Sequence, residues 1–433
     1  MKKKRVVIVD GVRTPYIKAW TLFNELSASD LGRIAVREIT ERLDLDLTLI
    51  DEVIIGNVGQ PADSANIARV ISLKAGIPRQ IPAYTVHRNC ASGMESVVDA
   101  YRRIMLGEAD VILAGGVESM SNIPLFFPKR YQNFLQSLQR AKSLPARLKV
   151  LSTFRPAYFK PVIGLMLGLT DPICGLNMGQ TAEVLAREFG ISRQEQDAFS
   201  LLSHQRAEKT VEEKRLGDEI VPTYVPPKFK EAVVEDNGIR KRQTMEALAK
   251  LRPVFDKKHG TVTAGNSSQI TDGAAAVLVM SEEKAAELGY EPLGAVRSYA
   301  FAGLDPHRMG LGPVFSSHLA LKLAKLSLKD MQLIEINEAF AAQVLACEKA
   351  MASTEFAAKY LDRKAALGEI DREIMNVNGG AIALGHPVGS SGTRLIITLL
   401  KEMKRRDLSL GLATLCIGGG QGGAIILERG EVG

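Results

Sequence analysis

Short apolar runs alternate with amphipathic stretches in both the first and the last third of the chain. Residues 6–9, 53–55 and 111–114 are continuously apolar, the mark of strands covered on both faces, whereas 30–42 and Ser92–Leu106 repeat their apolar positions at helical spacing. The last third repeats the plan, with strands predicted at 293–299, Leu333–Ile336, 374–377 and 412–417 and helices at 316–326 and 391–404. This is the pattern of an α/β protein with layered, largely parallel sheets.

Two local similarities point to a duplication. Asp51-Glu52-Val53-Ile54-Ile55-Gly56 resembles Gln332-Leu333-Ile334-Glu335-Ile336-Asn337, and Leu113-Ala114-Gly115-Gly116 resembles Leu415-Cys416-Ile417-Gly418. Between the halves, 121–260 breaks the rhythm: it is basic, then helical around 181–217, then rich in proline and charge from 221 to 258. Residues 265–280 return to an apolar, Gly- and Ala-rich strand pattern. The expected organisation is 1–120 plus 261–285 as one half, 121–260 as an inserted loop domain, and 286–433 as the other half.

With 433 residues, 46% of them hydrophobic and 24% charged, the chain can bury a large core. No apolar run approaches the roughly 20 residues a membrane-spanning helix needs. The basic start, Met1-Lys2-Lys3-Lys4-Arg5, imitates a leader, but Asp10 interrupts the apolar run that follows, so a first strand is predicted there. The end, Gly430-Glu431-Val432-Gly433, is no peroxisomal address, and a cytoplasmic location is expected. Four scattered cysteines, Cys90, Cys174, Cys347 and Cys416, have neither disulfide-framework nor zinc spacing, and no metal is expected.

The net charge of +6 is unevenly spread. No acidic residue lies between Glu118 and Asp171, while Lys129, Arg130, Arg140, Lys142, Arg147, Lys149, Arg155 and Lys160 all do. Residues 126–160 read as one or two amphipathic helices, followed by an apolar stretch at 162–169. Such a segment is either a solvated lid that attracts phosphates or a surface for an anionic membrane or a partner subunit. No nucleic-acid recognition motif accompanies it.

Four stretches carry chemistry. In His87-Arg88-Asn89-Cys90-Ala91-Ser92-Gly93-Met94-Glu95-Ser96, a cysteine stands where a strand gives way to a helix, so that free N–H groups and the helix dipole stabilise a thiolate. The alternative, a small buried residue, is the ordinary fate of a free cysteine. In Asn376-Val377-Asn378-Gly379-Gly380-Ala381-Ile382-Ala383-Leu384-Gly385-His386-Pro387, small residues let the backbone approach a ligand, and His386 has little packing to do, so it reads as a base.

The third stretch, Leu415-Cys416-Ile417-Gly418-Gly419-Gly420-Gln421-Gly422-Gly423, loosely imitates a dinucleotide-binding turn, but a strand rather than a helix follows it. A second thiol beside free N–H groups suits proton transfer and an oxyanion hole. The fourth, Asn337-Glu338-Ala339-Phe340, opens a helix, where Asn337 either caps it or holds a water or a carbonyl oxygen.

Taken in order, these stretches resemble the thiolase family over essentially the whole chain. Further matches are Asp10-Gly11-Val12-Arg13-Thr14-Pro15, Ala114-Gly115-Gly116-Val117-Glu118-Ser119-Met120, Met178-Gly179-Gln180-Thr181-Ala182-Glu183 and Thr261-Val262-Thr263-Ala264-Gly265-Asn266-Ser267-Ser268. The resemblance implies a duplicated five-layer α-β-α-β-α architecture and an acyltransferase that cleaves 3-ketoacyl-CoA with a second coenzyme A, or runs the reverse, in fatty-acid β-oxidation or acetoacetyl-CoA metabolism. Coenzyme A is then a substrate, with no bound cofactor. By resemblance Cys90 is the nucleophile, His386 its base and Cys416 the acid for the leaving enolate. One oxyanion hole is made by His386 and a water held by Asn337, the other by the N–H groups of Cys90 and Gly418. Ser268 matches a serine near the pantetheine arm, and Arg240 falls toward the adenine end.

The long insert, residues 235–240 and the predicted helix at 354–373 look most like the β-subunits of fatty-acid oxidation trifunctional complexes. Those usually carry His where this chain has Asn337, whereas ordinary acetoacetyl-CoA and 3-ketoacyl-CoA thiolases carry Asn. A homodimer or homotetramer and an assembly with a hydratase–dehydrogenase α-subunit therefore both stand as expectations. Two rival readings fit less well. A ketoacyl synthase generally pairs its cysteine with two histidines, and a non-catalytic acyl-CoA carrier would have lost part of the constellation.

Overall fold

The computed structural model describes residues 5–430; the basic residues 1–4 and the end at 431–433, on which the leader and address expectations rest, lie outside them. The first half comprises β1 (Val6–Arg13), α1 (Ala28–Arg42), β2 (Glu52–Gly56), α2 (Ile67–Lys74), β3 (Ala83–Val86), α3 (Ser92–Leu106), β4 (Val111–Ser119) and, after the insert, β5 (Thr271–Ser281). The second comprises β6 (Gly294–Gly303), α4 (Gly312–Ala324), β7 (Leu333–Ile336), α5 (Ala341–Ala352), α6 (Val388–Arg406), β8 (Leu410–Ile417) and β9 (Gln421–Glu428).

The strand orders match, β1-β5-β4-β2-β3 in one half and β6-β9-β8-β7 in the other, and a single parallel bridge from Ile334 to Met375 stands where a fifth strand would be. The halves join edge to edge through Val7–Ala295 and Ile8–Gly294.

Strand side chains alternate between faces, and this sorts them into three cores. Val7 and Val9 pack outward with α1 and α2. Val6 and Ile8 pack inward with Met94 and Val97 of α3 and Leu395 and Leu399 of α6. On the far side α4 and α5 cover the second sheet, with Val314, Leu321, Val344 and Ile336. The result is five layers, α-β-α-β-α, with α3 and α6 side by side at the centre.

The sheets are mixed rather than largely parallel. β2 is parallel to β4 and β3, and β7 to β8, but β5 and β9 run antiparallel to their neighbours. β9 returns through a tight hairpin and β5 enters from the insert, so neither has the crossover helix a parallel strand requires.

Three predicted elements are shorter than their patterns. Residues 374–377 make only the Met375 bridge, because Asn376 sits at φ 46° and its side-chain amide, not a backbone ladder, bonds both the N–H and the C=O of Ile336 at 2.9 Å. Helix in 354–373 is confined to Thr354–Tyr360. The strand predicted from 265 begins at Thr271, because 263–270 serve as a loop beside the site described below.

In the insert, two helices, Met178–Glu188 and Arg193–Glu212, pack along the second half. Fully buried Arg13 on β1 ties the region down, with Glu219 at 2.6 Å and Asp236 at 2.7 Å. A buried charge is tolerable only when paired in this way. The basic segment forms the helices Lys129–Arg140 and Leu144–Leu151, and its rings pack mainly on each other, with Phe134, Phe154 and Tyr158 at centroid distances of 5.5–5.8 Å. Among the described residues no helix is long and apolar enough to cross a membrane.

Candidate active site

The duplication decides where the chemistry meets. Cys90 lies two residues before α3 and His386 two residues before α6, so the two central helices present equivalent ends. Their first turns approach more closely than side chains allow: a Cβ added to Gly93 would stand 2.8 Å from the Gly389 carbonyl oxygen, and one added to Gly116 would overlap the same atom. Glycine at these positions lets the two ends converge.

Cys90 is set by a tight turn. Asn89 adopts φ 43°, in the left-handed region that asparagine tolerates, and its Nδ2 donates to the Gly418 carbonyl oxygen at 2.6 Å. The backbone N–H groups of Gly418 and of Cys90 itself favour the Cys90 thiolate. They do not win: burial, with the nearby Glu118 charge adding to it, raises the thiol above its ordinary pKa. At rest this is a neutral thiol that needs a base.

Cys416 is the penultimate residue of β8, buried against Ala182, Met309 and Phe340. Burial, then the neighbouring Cys90, pushes its thiol well above the usual range, since two adjacent sulfurs resist double ionisation. The turn beyond it requires glycine, with φ 89° at Gly419 and 77° at Gly420.

His386 is buried, and burial followed by the charge of Arg394 pulls its pKa down to about 3, so the ring is neutral. Ser391 Oγ lies 2.6 Å from Nδ1 and donates its own proton to the Pro387 carbonyl at 3.0 Å. On that network Nδ1 carries the ring proton and Nε2 keeps a lone pair, facing Asn337 Nδ2 at 3.3 Å. Asn337 is anchored by its N–H to the Thr414 carbonyl, two residues before Cys416, and its buried Oδ1 has no partner among the described residues. The His386 loop is held by Glu338, which accepts from Ser203 Oγ, Asn376 Nδ2 and the Ile382 N–H.

Ser268 and Arg240 lie further out. The Ser268 N–H bonds the Ala339 carbonyl, and the next residue, Gln269, accepts the His386 N–H and donates to Gly238. Arg240 is two residues beyond Gly238, its N–H on His204 Nδ1. Burial and then Arg240 lower both His204, to about 4, and Lys18, so Arg240, Lys18 and His204 share one neighbourhood.

Sequence reasoning gave no separate role to Asn89, Ser391 or Glu118. The last was detectable as the one acid in the otherwise apolar β4. Its buried carboxylate accepts the N–H groups of Val58, Gly59 and Gly389 at 2.8–3.1 Å and the Asn57 amide at 3.3 Å, and burial raises it to about 7. It thereby clamps the start of α6 to the Cys90 side. From Cys90 and Gly418 a cavity of about 510 Å³ opens toward the insert.

Comparison with known proteins gives the family. The thiolase N-terminal domain family matches residues 6–283 and the thiolase C-terminal domain family 290–429. A 3-ketoacyl-CoA thiolase of Yersinia enterocolitica is 45% identical over 425 residues, 98% of this chain and 97% of that protein. A human mitochondrial 3-ketoacyl-CoA thiolase superposes with a TM-score of 0.86 at 37% identity, covering 100% of both chains. The acetyl-CoA acetyltransferase of Bacillus anthracis gives a TM-score of 0.86 at 37% identity, over 98% of this chain and 99% of its own. Matched in both halves and along its length, the chain belongs to the thiolase family.

Proposed function

We propose that this acyltransferase performs reversible, CoA-dependent cleavage of 3-ketoacyl-CoA through an acyl group carried on Cys90. The observation that carries the reading is the bond from Asn89 Nδ2 to the Gly418 carbonyl at 2.6 Å, which joins the Cys90 turn to the turn that follows Cys416. His386 Nε2 takes the Cys90 proton and the thiolate adds to the C3 carbonyl. The alkoxide is met by the His386 ring and by a water bound to Asn337, whose buried Oδ1 has no partner among the described residues. The C2–C3 bond breaks, the enolate of acetyl-CoA takes its proton from Cys416, and the acyl group remains on Cys90.

In the second half, Cys416 accepts the proton of the incoming CoA thiol, which attacks the thioester. The developing oxyanion is met by the N–H groups of Cys90 and Gly418, and Cys90 leaves. Ser268 flanks the pantetheine arm, and Arg240 with Lys18 faces the phosphate-bearing end. The chain is taken as a split first half, 1–120 with 261–285, the insert 121–260 and the second half 286–433, acting in the cytoplasm as a homodimer or homotetramer or with a hydratase–dehydrogenase α-subunit.

Purified protein given 3-ketoacyl-CoA and CoA should release acetyl-CoA and an acyl-CoA two carbons shorter. Substrate left intact, or cleaved equally without CoA, contradicts the reading.

The basic segment favours a second, compatible role, peripheral contact with an anionic membrane through 126–169. Leu144, Leu148 and Phe159 are 71%, 58% and 57% exposed, and among the described residues none of the segment's eight cations has an ion-pair partner. Co-sedimentation with anionic liposomes that salt reverses is the expected result; none at low salt removes this role.

A further inference from the structure

We propose that the cavity between α4 and the loop after the helix Thr354–Tyr360 binds a small organic anion, with a carboxylate or phosphate monoester head and a short apolar body. It lies in the helical layer that covers the second sheet, and none of its lining residues lines the Cys90 cavity. His318, Leu321 and Lys322 stand at i, i+3 and i+4 on α4 and so share one face. The loop supplies Asp362 and Arg363. Asp362 turns the chain at φ 50°, and the Arg363 N–H bonds the Ala357 carbonyl at 3.2 Å, so the loop is tied to the helix before it.

Two cations meet there without a counter-charge. Neither Lys322 nor Arg363 has an ion-pair partner among the described residues. Arg363 spends only its Nε, on the Ala365 carbonyl at 3.3 Å, which leaves the forked end of the guanidinium for a carboxylate or phosphate. Asp362 lines the same cavity but pairs with neither cation, so a positive charge remains. His318 lines it too. That residue is 9% exposed, and its buried Nδ1 has no hydrogen-bond partner among the described residues. Buried polar atoms are nearly always partnered, so an orphan beside two unpaired cations points to a ligand atom. The charges of Arg363 and Lys322 reach it, since after burial they are what lower its pKa.

The rest of the lining is largely hydrocarbon. Leu321, Leu361 and Leu367 are buried and belong to the core of the second half, and Leu326 packs against it. The Ser327 hydroxyl is already spent on Asp330 at 2.8 Å. An inorganic ion would therefore leave most of the lining unused. The cavity of about 310 Å³ is about twice the roughly 150 Å³ that holds a benzene in a hydrocarbon pocket, so a ring-sized body fits together with a charged head. Its size is at the lower end of small-molecule sites, which begin near roughly 300 Å³.

The test is isothermal titration with phenyl phosphate, phenylacetate, inorganic phosphate and benzyl alcohol, each with and without coenzyme A. Phenyl phosphate or phenylacetate should bind saturably, at least about tenfold more tightly than benzyl alcohol or inorganic phosphate, and the tighter of the two identifies the head. In the double variant Lys322→Ala/Arg363→Ala this affinity should fall at least about tenfold, with kcat/KM and Tm little changed. His318→Leu, which keeps a side chain in place but removes the ring nitrogens, should weaken it as well. Saturable binding of neither aromatic anion overturns the proposal. So does binding lost on adding coenzyme A, which places the ligand at the thiols, and so does binding undiminished in the folded double variant. Benzyl alcohol bound as tightly as the anions overturns the charged head, and inorganic phosphate bound as tightly overturns the apolar body. Each of these results is independent of whether the chain cleaves 3-ketoacyl-CoA.

Discussion

Ser391 Oγ stands 2.6 Å from His386 Nδ1, five residues along the same chain, and passes its own proton to the Pro387 carbonyl. The hydroxyl therefore fixes which ring nitrogen is free. Ser391→Ala should lower the acylation rate on the order of tenfold to hundredfold, with KM and Tm little changed. Stopped-flow acylation measures this, and an unaltered rate would show that the tautomer is set elsewhere.

The two reacting groups are shifted apart, the imidazole down to about 3 and the thiol up. The neutral base is already present well below neutrality, so acylation should show no limb near pH 6.5 and should rise toward alkaline pH as the thiol ionises. The same shift bears on stability. Unfolded histidine binds a proton near pH 6.5 and buried His386 does not until about 3, so stability is lost as pH falls through that window. His386→Asn should flatten the Tm profile between about pH 6.5 and 4; equal slopes in both proteins would contradict the shift.

Glu118 is a clamp whose acceptor atoms are all in use. In Glu118→Gln an NH2 group faces backbone donors, so unfolding free energy should drop by about 1–3 kcal/mol, and acylation should slow because Gly389 and the start of α6 loosen. Denaturant titration reports the first effect and single-turnover kinetics the second. A variant as stable as the parent sinks the clamp.

Asn89 combines a left-handed backbone with a bond to Gly418, and two substitutions separate these contributions. Asn89→Gly keeps the conformation and loses the bond, while Asn89→Ala loses the bond and adds strain. Both should slow acylation, and Ala should also depress Tm relative to Gly. Equal Tm values would mean the turn is not strained.

Much of this was legible in the sequence because it is written in local pattern. Buried strands such as β4 and β8 are continuous apolar runs, and the catalytic stretches keep small residues around Cys90, His386 and Cys416. The illegible parts depend on contacts distant in the chain. Beyond two backbone bonds to Ile334, the Asn376 side chain takes over the pairing with Ile336, so 374–377 carries a strand's composition but only a single bridge. The polarity of β5 follows from the return path of the insert, which periodicity does not encode. The thiol shift at Cys90 likewise sums burial from two halves against two N–H groups, and only the folded geometry decides the sign.

The central claim is that Cys90 carries the acyl group. Mass mapping of protein quenched after exposure to acyl-CoA tests it most directly. The account predicts acyl on the Cys90 peptide in the parent and in Cys416→Ser, and none in Cys90→Ser. Acylation undiminished in Cys90→Ser, or found on Cys416 in the parent, would contradict it.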